Sequence, residues 1–319
     1  MGLYLAYDIG SISLKRALFE DEKILSILPY TRHNGHPHQI ILKDIEELLP
    51  IYEKIDGLSF TGYGGKQFNK LIGGTFINEF EALITGVKTL FPECKTIIEI
   101  GGEHSKFVDL IKNDYYMNEL CAAGTGSFLD QQASRFNLSI EEFSQLAFKA
   151  QKPATIAGRC SVFAKSDMIH LQQEGTPDEE IALGLCYALV RSFKGSIAKG
   201  KDFIPPVIFC GGVALNQAIV RAFKDICKVE IIVPKNPEAI PVIGAGIAIR
   251  NRKDYKTIYL SDIKSTLIKH LNTYVYKTES LPPLKISLSK LPINNKSIYF
   301  FTNNKIEGAI GIDVGSIST

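Results

Sequence analysis

Three times along this chain an apolar run with strand character ends in a glycine-rich turn, and that recurrence constrains the fold more than any other feature. The first turn is Asp8-Ile9-Gly10-Ser11-Ile12-Ser13, between two runs that read as strands, 3–9 and the strand-turn-strand 15–28. The second is Glu99-Ile100-Gly101-Gly102-Glu103. The third is Cys210-Gly211-Gly212-Val213-Ala214, which leads into a helical pattern. Glycine lets backbone N–H groups approach phosphate oxygens closely, and an Asp at a strand end holds Mg²⁺ through water. The third turn offers its backbone to a ribose or an adenine. Taken singly, each is also an ordinary tight turn. None has the lysine-bearing phosphate-loop pattern or the dinucleotide fingerprint. Together, and in this order, they predict a nucleotide site.

The rest of the pattern supplies the scaffold. Further strands are expected at 57–62, 95–100, 106–111, 115–117, 207–210 and 230–233. Helices are expected at 38–53, 124–136, 139–149, 177–198, 215–226 and 244–251. Meandering strands with helices, met twice, predict an α/β protein of two lobes flanking a cleft. One lobe would take roughly 1–90 with part of 230–253, the other 91–230. The length of 319 residues suffices for two such cores. From 254 to 307 the pattern weakens, with Pro282, Pro283 and Pro292, and predicts a linker with one or two helical turns or a peripheral cover.

The first turn has an echo. Tyr7-Asp8-Ile9-Gly10-Ser11-Ile12-Ser13 returns as Ile312-Asp313-Val314-Gly315-Ser316-Ile317-Ser318, an offset of 305 residues. That period is a domain's length, not a solenoid's. Residues 308–319 are therefore expected to open a second, truncated repeat. A net charge of +2 argues against a nucleic-acid-binding surface. No apolar run reaches the ~18 residues of a membrane span, and no signal segment precedes the first strand. These features predict a cytoplasmic protein with no membrane or nucleic-acid partner. The six cysteines are too sparse for a disulfide framework.

Asp8-Ile9-Gly10-Ser11, then Ile100-Gly101-Gly102, then Phe209-Cys210-Gly211-Gly212-Val213-Ala214 resemble the two phosphate motifs and the adenosine motif of the actin-like ATPase superfamily. Within it, residues 3–250 resemble the 2-hydroxyacyl-CoA dehydratase activators and the benzoyl-CoA reductase ATPase subunits. The resemblance implies an actin-like fold of two ribonuclease H-like α/β subdomains, binding ATP or ADP and Mg²⁺. Its site would draw on Gly10, Ser11, Ser13, Gly101 and Gly102 for phosphate. Gly211, Gly212, Val213, Asn216, Pro237 and Gly244 would serve the adenosine. Asp8 and Glu99, with Glu79 or Glu103, would handle Mg²⁺ and water. Lys15 and Lys106 are either phosphate contacts or solvated lysines. The family's pattern has Asp where this chain has Glu99, and Gln-Asp where it has Glu103-His104, so His104 reads as a hydrogen-bonded histidine, not a base.

Two cysteines carry the resemblance further. Cys121 begins Cys-Ala-Ala-Gly-Thr-Gly-Ser-Phe, and Cys160 stands in Ala-Gly-Arg-Cys-Ser-Val-Phe. Each is expected to open a helix, where the N-terminal partial charge favours a thiolate. The family's pattern implies that they ligate a [4Fe–4S] cluster. Such a cluster takes four thiolates, so a second activase repeat or a homodimer mate would give the other two. The electron acceptor implied is a CoA-thioester dehydratase or reductase, and the donor a ferredoxin- or flavodoxin-type protein. Cys94, Cys186, Cys210 and Cys227 read as buried fillers. Two rival readings stand beside this one: a small-molecule, sugar-type kinase, and a nucleotide-gated scaffold with structural cysteines.

Overall fold

A computed structural model describes residues 2–118, 124–158, 161–252 and 255–273. The first strand, Leu3–Ile9 (β1), is buried over six of its seven residues, the signature of a strand covered on both faces. It pairs antiparallel with Ser13–Glu20 (β2), and β2 pairs with Lys23–Arg32 (β3). After Pro37–Leu48 (α1) and Lys54–Ile55 (β4), Gly57–Thr61 (β5) returns parallel to β1. Gly65–Ile72 (α2), Thr75–Phe76 (β6) and Glu79–Leu90 (α3) complete this half, with sheet order β3-β2-β1-β5-β6.

The second half repeats the plan. Thr96–Ile100 (β7), Ser105–Asp109 (β8) and Asp114–Met117 (β9) form an antiparallel meander. Four helices follow: Gly126–Arg135 (α4), Ile140–Lys149 (α5), Ser161–Gln173 (α6) and Asp178–Ser192 (α7). Val207–Cys210 (β10) then lies parallel to β7. Gln217–Cys227 (α8) and Ile231–Ile232 (β11) give the sheet order β11-β10-β7-β8-β9, the same as the first. One core gathers around Leu5, Tyr7, Ile41, Ile45 and Phe60, the other around Phe107, Phe143, Phe209 and Phe223. In both sheets a parallel pair points its C-terminal ends the same way, where α/β proteins place their ligands.

Ile240–Arg252 (α9) returns to the first half and packs on α3, β1 and β5. A Cβ on Gly244 would lie 1.8 Å from the Ala82 carbonyl oxygen, and one on Gly86 would lie 2.4 Å from the Ile240 carbonyl oxygen. Glycine at both positions therefore sets the spacing of α3 and α9. Ile258–Tyr259 (β12) pairs with β4, and Leu260–Thr273 (α10) packs on α1. A 14-residue helix thus stands inside the stretch expected to be linker or cover. Its apolar stripe is narrow, with Leu260, Ile263 and Leu267 buried at helical spacing, which explains the weak pattern. No helix among the described residues is long and apolar enough to cross a membrane. The expected second repeat at 308–319, with Cys121 and Cys160, lies outside the described residues.

Candidate functional site

The first turn is closed by the Gly10 N–H, which donates to the Ser13 carbonyl at 2.9 Å. It leaves Asp8, on β1, cross-strand from Lys15, on β2, with Lys15 Nζ 3.3 Å from Asp8 Oδ2. The second turn uses the same bond, from the Gly101 N–H to the His104 carbonyl at 2.8 Å. It leaves Glu99, on β7, cross-strand from Lys106, on β8. In the third, Gly211 has φ of +86°, and a Cβ there would lie 2.3 Å from the Ile100 carbonyl oxygen. Only glycine lets that turn lie so close to the end of β7. Its N–H donates to the Pro237 carbonyl at 2.9 Å, so Pro237 serves the turn through its backbone.

The turns meet. Asp8, Gly10, Ser11, Thr61, Glu79 and Glu99 are among the walls of a pocket of about 70 Å³, with Glu103 and His104 at its edge. Ser13, Lys15, Gly101 and Gly102 are shared with a neighbouring cavity of about 580 Å³, a size ordinary for a small-molecule site. Gly212, Val213 and Asn216 form one side of that cavity, with Leu129, Ile140 and Phe148 supplying apolar surface. Asn216 caps α8: its Oδ1 accepts from the Ala218 and Ile219 N–H groups. Its Nδ2 is buried and lacks a partner among the described residues, a donor left for something in the cavity. Gly244 is in the α3–α9 contact and is not part of either wall.

The electrostatics are concentrated at the small pocket. Lys106 Nζ lies 2.7 Å from Glu99 Oε2 and 2.9 Å from Glu79 Oε2, and His104 Nδ1 lies 3.2 Å from the same Glu79 oxygen. Burial alone would lower the Lys106 pKa, but Glu99 and Glu79 outweigh it and hold the ammonium well above its usual range. Burial likewise opposes ionisation of Glu79, yet the bond from His104 and the charge of Lys106 bring its carboxyl down to about 2. The His104 imidazole is raised, chiefly by its bond to Glu79.

Several residues at the cleft escaped the sequence reading. Tyr30 and Arg32, on β3, line the larger cavity, and Arg32 bridges to Asp130 on α4 at 2.8 Å. Thr61-Gly62-Tyr63-Gly64-Gly65 is a fourth glycine-rich turn after a strand, and Thr61, Gly62 and Tyr63 line the small pocket. The spacing that marked the other three turns would have found it.

The profile of the BadF/BadG/BcrA/BcrD ATPase family matches residues 8–248, and the chain belongs to that family. It is 31% identical over 254 residues to the activator of lactoyl-CoA dehydratase from Anaerotignum propionicum, covering 76% of this chain and 95% of that one. It is 30% identical over 266 residues to the 2-hydroxyisocaproyl-CoA dehydratase activator of Clostridioides difficile, covering 80% of this chain and 99% of that one. Among solved structures, the activator of the 2-hydroxyisocaproyl-CoA dehydratase from Clostridium difficile with bound ADPNP superposes with a TM-score of 0.69 at 26% identity, covering 85% of this chain and 97% of the other. The fold is the actin-like ATPase fold.

Proposed function

We propose that this chain is an ATP-hydrolysing activator that delivers a low-potential electron to a CoA-thioester dehydratase or reductase. The observation that carries the reading is that the first two glycine turns line a small charged pocket, which shares walls with a nucleotide-sized cavity lined by the third. Relatives named as dehydratase activators, one of them solved with ADPNP, support it.

In this reading the phosphates lie against the backbone of the turns at 10–13 and 101–104, and the adenosine lies beside Gly212, Val213 and Asn216. Mg²⁺ fits the end formed by Asp8. Asp8 lines the pocket, and a Cβ on Gly62 would sit 2.4 Å from its Oδ1, so only glycine lets the 61–65 turn lie against that end. Among the described residues no three His, Cys, Asp or Glu side chains converge as a metal site, so the ion would take the rest of its shell from water and phosphate. When bound it would neutralise charge on the leaving phosphates. Glu79 and Glu99 face the same pocket, and Lys106 between them offsets the repulsion that two carboxylates would exert on a triphosphate.

The phosphate turn is also tied to the start of α4. The Gly126 and Ser127 N–H groups donate to the Gly101 and Gly102 carbonyls at 2.8 and 2.7 Å. The Ser105 hydroxyl donates to the Gly124 carbonyl at 2.7 Å. A displacement of the turn on hydrolysis would thus be passed to Gly124, three residues beyond Cys121. A [4Fe–4S] cluster on Cys121 and Cys160 of two equivalent domains would supply the one-electron reduction of the partner, after reduction by a ferredoxin- or flavodoxin-type donor. That assignment rests on the sequence motifs and the family.

The test is iron content and visible absorption of anaerobically purified protein. Wild type should be brown and bleach on reduction, whereas Cys121→Ser and Cys160→Ser should each lose the iron and Cys94→Ser should keep it. Iron retained in both of the first two variants would remove the cluster from the reading.

A further inference from the structure

The fourth glycine-rich turn has a residue the mechanism above does not use. Thr61 ends β5 and is the register partner of Asp8 on β1, so the two lie side by side at the C-terminal ends of a parallel pair. It is 0% exposed, lines the small pocket, and its Oγ1 has no hydrogen-bond partner among the described residues. A buried hydroxyl left unbonded is costly, and it persists where a ligand or an ordered water completes it. Next in sequence, Gly62 has φ of +82°, and a Cβ there would lie 2.4 Å from Asp8 Oδ1 and 2.6 Å from the Ile9 carbonyl oxygen, so only glycine lets the turn pack this closely against the end of β1. The turn is then held against β1 by the Gly64 N–H, which donates to the Ile9 carbonyl at 2.8 Å. An unsatisfied hydroxyl, the Asp8 carboxylate and a pinned turn therefore meet in the wall of one pocket.

We propose that Thr61 is a further binding residue of the metal end of the nucleotide site: when Mg²⁺-nucleotide is bound, its hydroxyl bonds a water of the hydrated ion that Asp8 Oδ1 also holds. The proposal rests on the nucleotide reading above and assigns a part of it to a residue outside the phosphate motifs. Ser59 supplies the control. It lies two residues earlier on the same strand face, and its Oγ is also buried and without a partner among the described residues, but it is not in the pocket wall.

The measurement is ADP binding to the full chain by titration calorimetry, as a function of Mg²⁺ and in EDTA. Thr61→Val keeps the shape and removes the hydroxyl. It should raise the Mg²⁺ half-saturation about five- to tenfold, the weight of one hydrogen bond between neutral groups, while leaving ADP affinity in EDTA unchanged. Thr61→Ala should give the same shift, Thr61→Ser should restore it, and Ser59→Ala should leave it at the wild-type value. Without nucleotide, Thr61→Val should melt at or above the wild-type temperature, because an orphaned buried hydroxyl has gone. A Thr61→Val protein with wild-type Mg²⁺ half-saturation overturns the proposal, and so does one that melts well below wild type without nucleotide. If Asp8→Ala loses the Mg²⁺ dependence and Thr61→Val keeps it, this proposal alone falls. If wild type binds no ADP under either condition, the nucleotide reading falls with it.

Discussion

The first two glycine turns are built alike and charged differently. Each places an acid on one strand and a lysine seven residues later on the next, in cross-strand register: Asp8 with Lys15, Glu99 with Lys106. Each closes with a glycine N–H bonded three residues on, at 2.9 and 2.8 Å. In the first half one lysine meets one carboxylate at 3.3 Å. In the second, α3 brings in Glu79, so Lys106 meets two carboxylates at 2.7 and 2.9 Å and His104 adds a third contact. One extra helix-borne acid changes what the same backbone device can do. The Asp8 turn carries one carboxylate and one lysine, whereas the Glu99 turn is tied into an internal brace of two carboxylates, a lysine and a histidine.

The largest expected effect separates the two acids in ATP hydrolysis. Asp8→Ala should lower kcat by about a thousandfold, the scale for losing a preorganised charge at a phosphoryl-transfer site, while ADP binding falls far less. Glu99→Gln should cost only about tenfold, because Lys106 already offsets its charge. Equal losses in steady-state phosphate release would show that the two acids act alike and would break the contrast.

Next come the two lysines, measured by stability. Lys106→Met keeps the length of the side chain and leaves Glu79 and Glu99 facing one another in a buried site. Breaking such a cluster costs about 3 kcal/mol. Lys15→Met removes one looser pair and should cost about 1 kcal/mol or less. The chain has no tryptophan, so urea unfolding followed by circular dichroism is the measurement. A Lys106→Met protein as stable as Lys15→Met would mean that the brace contributes little.

Much of this architecture was legible in the sequence, for a physical reason. Where a buried strand ends in glycine the local pattern is self-sufficient, so β1, β7 and β10 and their turns follow from the residues themselves. Helix α3 was not legible, although Glu79 was marked as an acid of interest. Gly86 interrupts its pattern, and that glycine makes sense only against Ile240, more than 150 residues away. The Lys106–Glu79 pair depends on the same long-range packing. Gly244 shows the converse ambiguity: a small residue that suits a nucleotide's approach equally suits a close helix crossing, and here it sits in the crossing. Thr61 went unread because a hydroxyl announces itself only when its partners, or their absence, can be inspected.

The smallest effect tests the outermost member of the brace. His104 is bonded to Glu79, with Lys106 and Glu99 beyond and the Tyr63 ring edge-on at 6.1 Å. Its pKa is raised above the usual histidine value, chiefly by the Glu79 bond. A group whose folded pKa is raised gives its full stabilisation below the unfolded pKa, about 6.5. That stabilisation is lost as pH rises through the folded value. The His104 side chain is 30% exposed, so solvent screens the pair and the effect should be a few tenths of a kcal/mol. His104→Gln retains a hydrogen-bonding side chain without the titration. The melting temperature of wild type should therefore exceed that of His104→Gln slightly at pH 5.5, and the gap should shrink by pH 8.5. The equivalent position in the first turn, Ser13, has no titrating group, and Ser13→Ala should show no such pH dependence. A gap that stays constant or widens with rising pH would mean that His104 holds Glu79 as a neutral donor, and that the brace is complete with Lys106 alone.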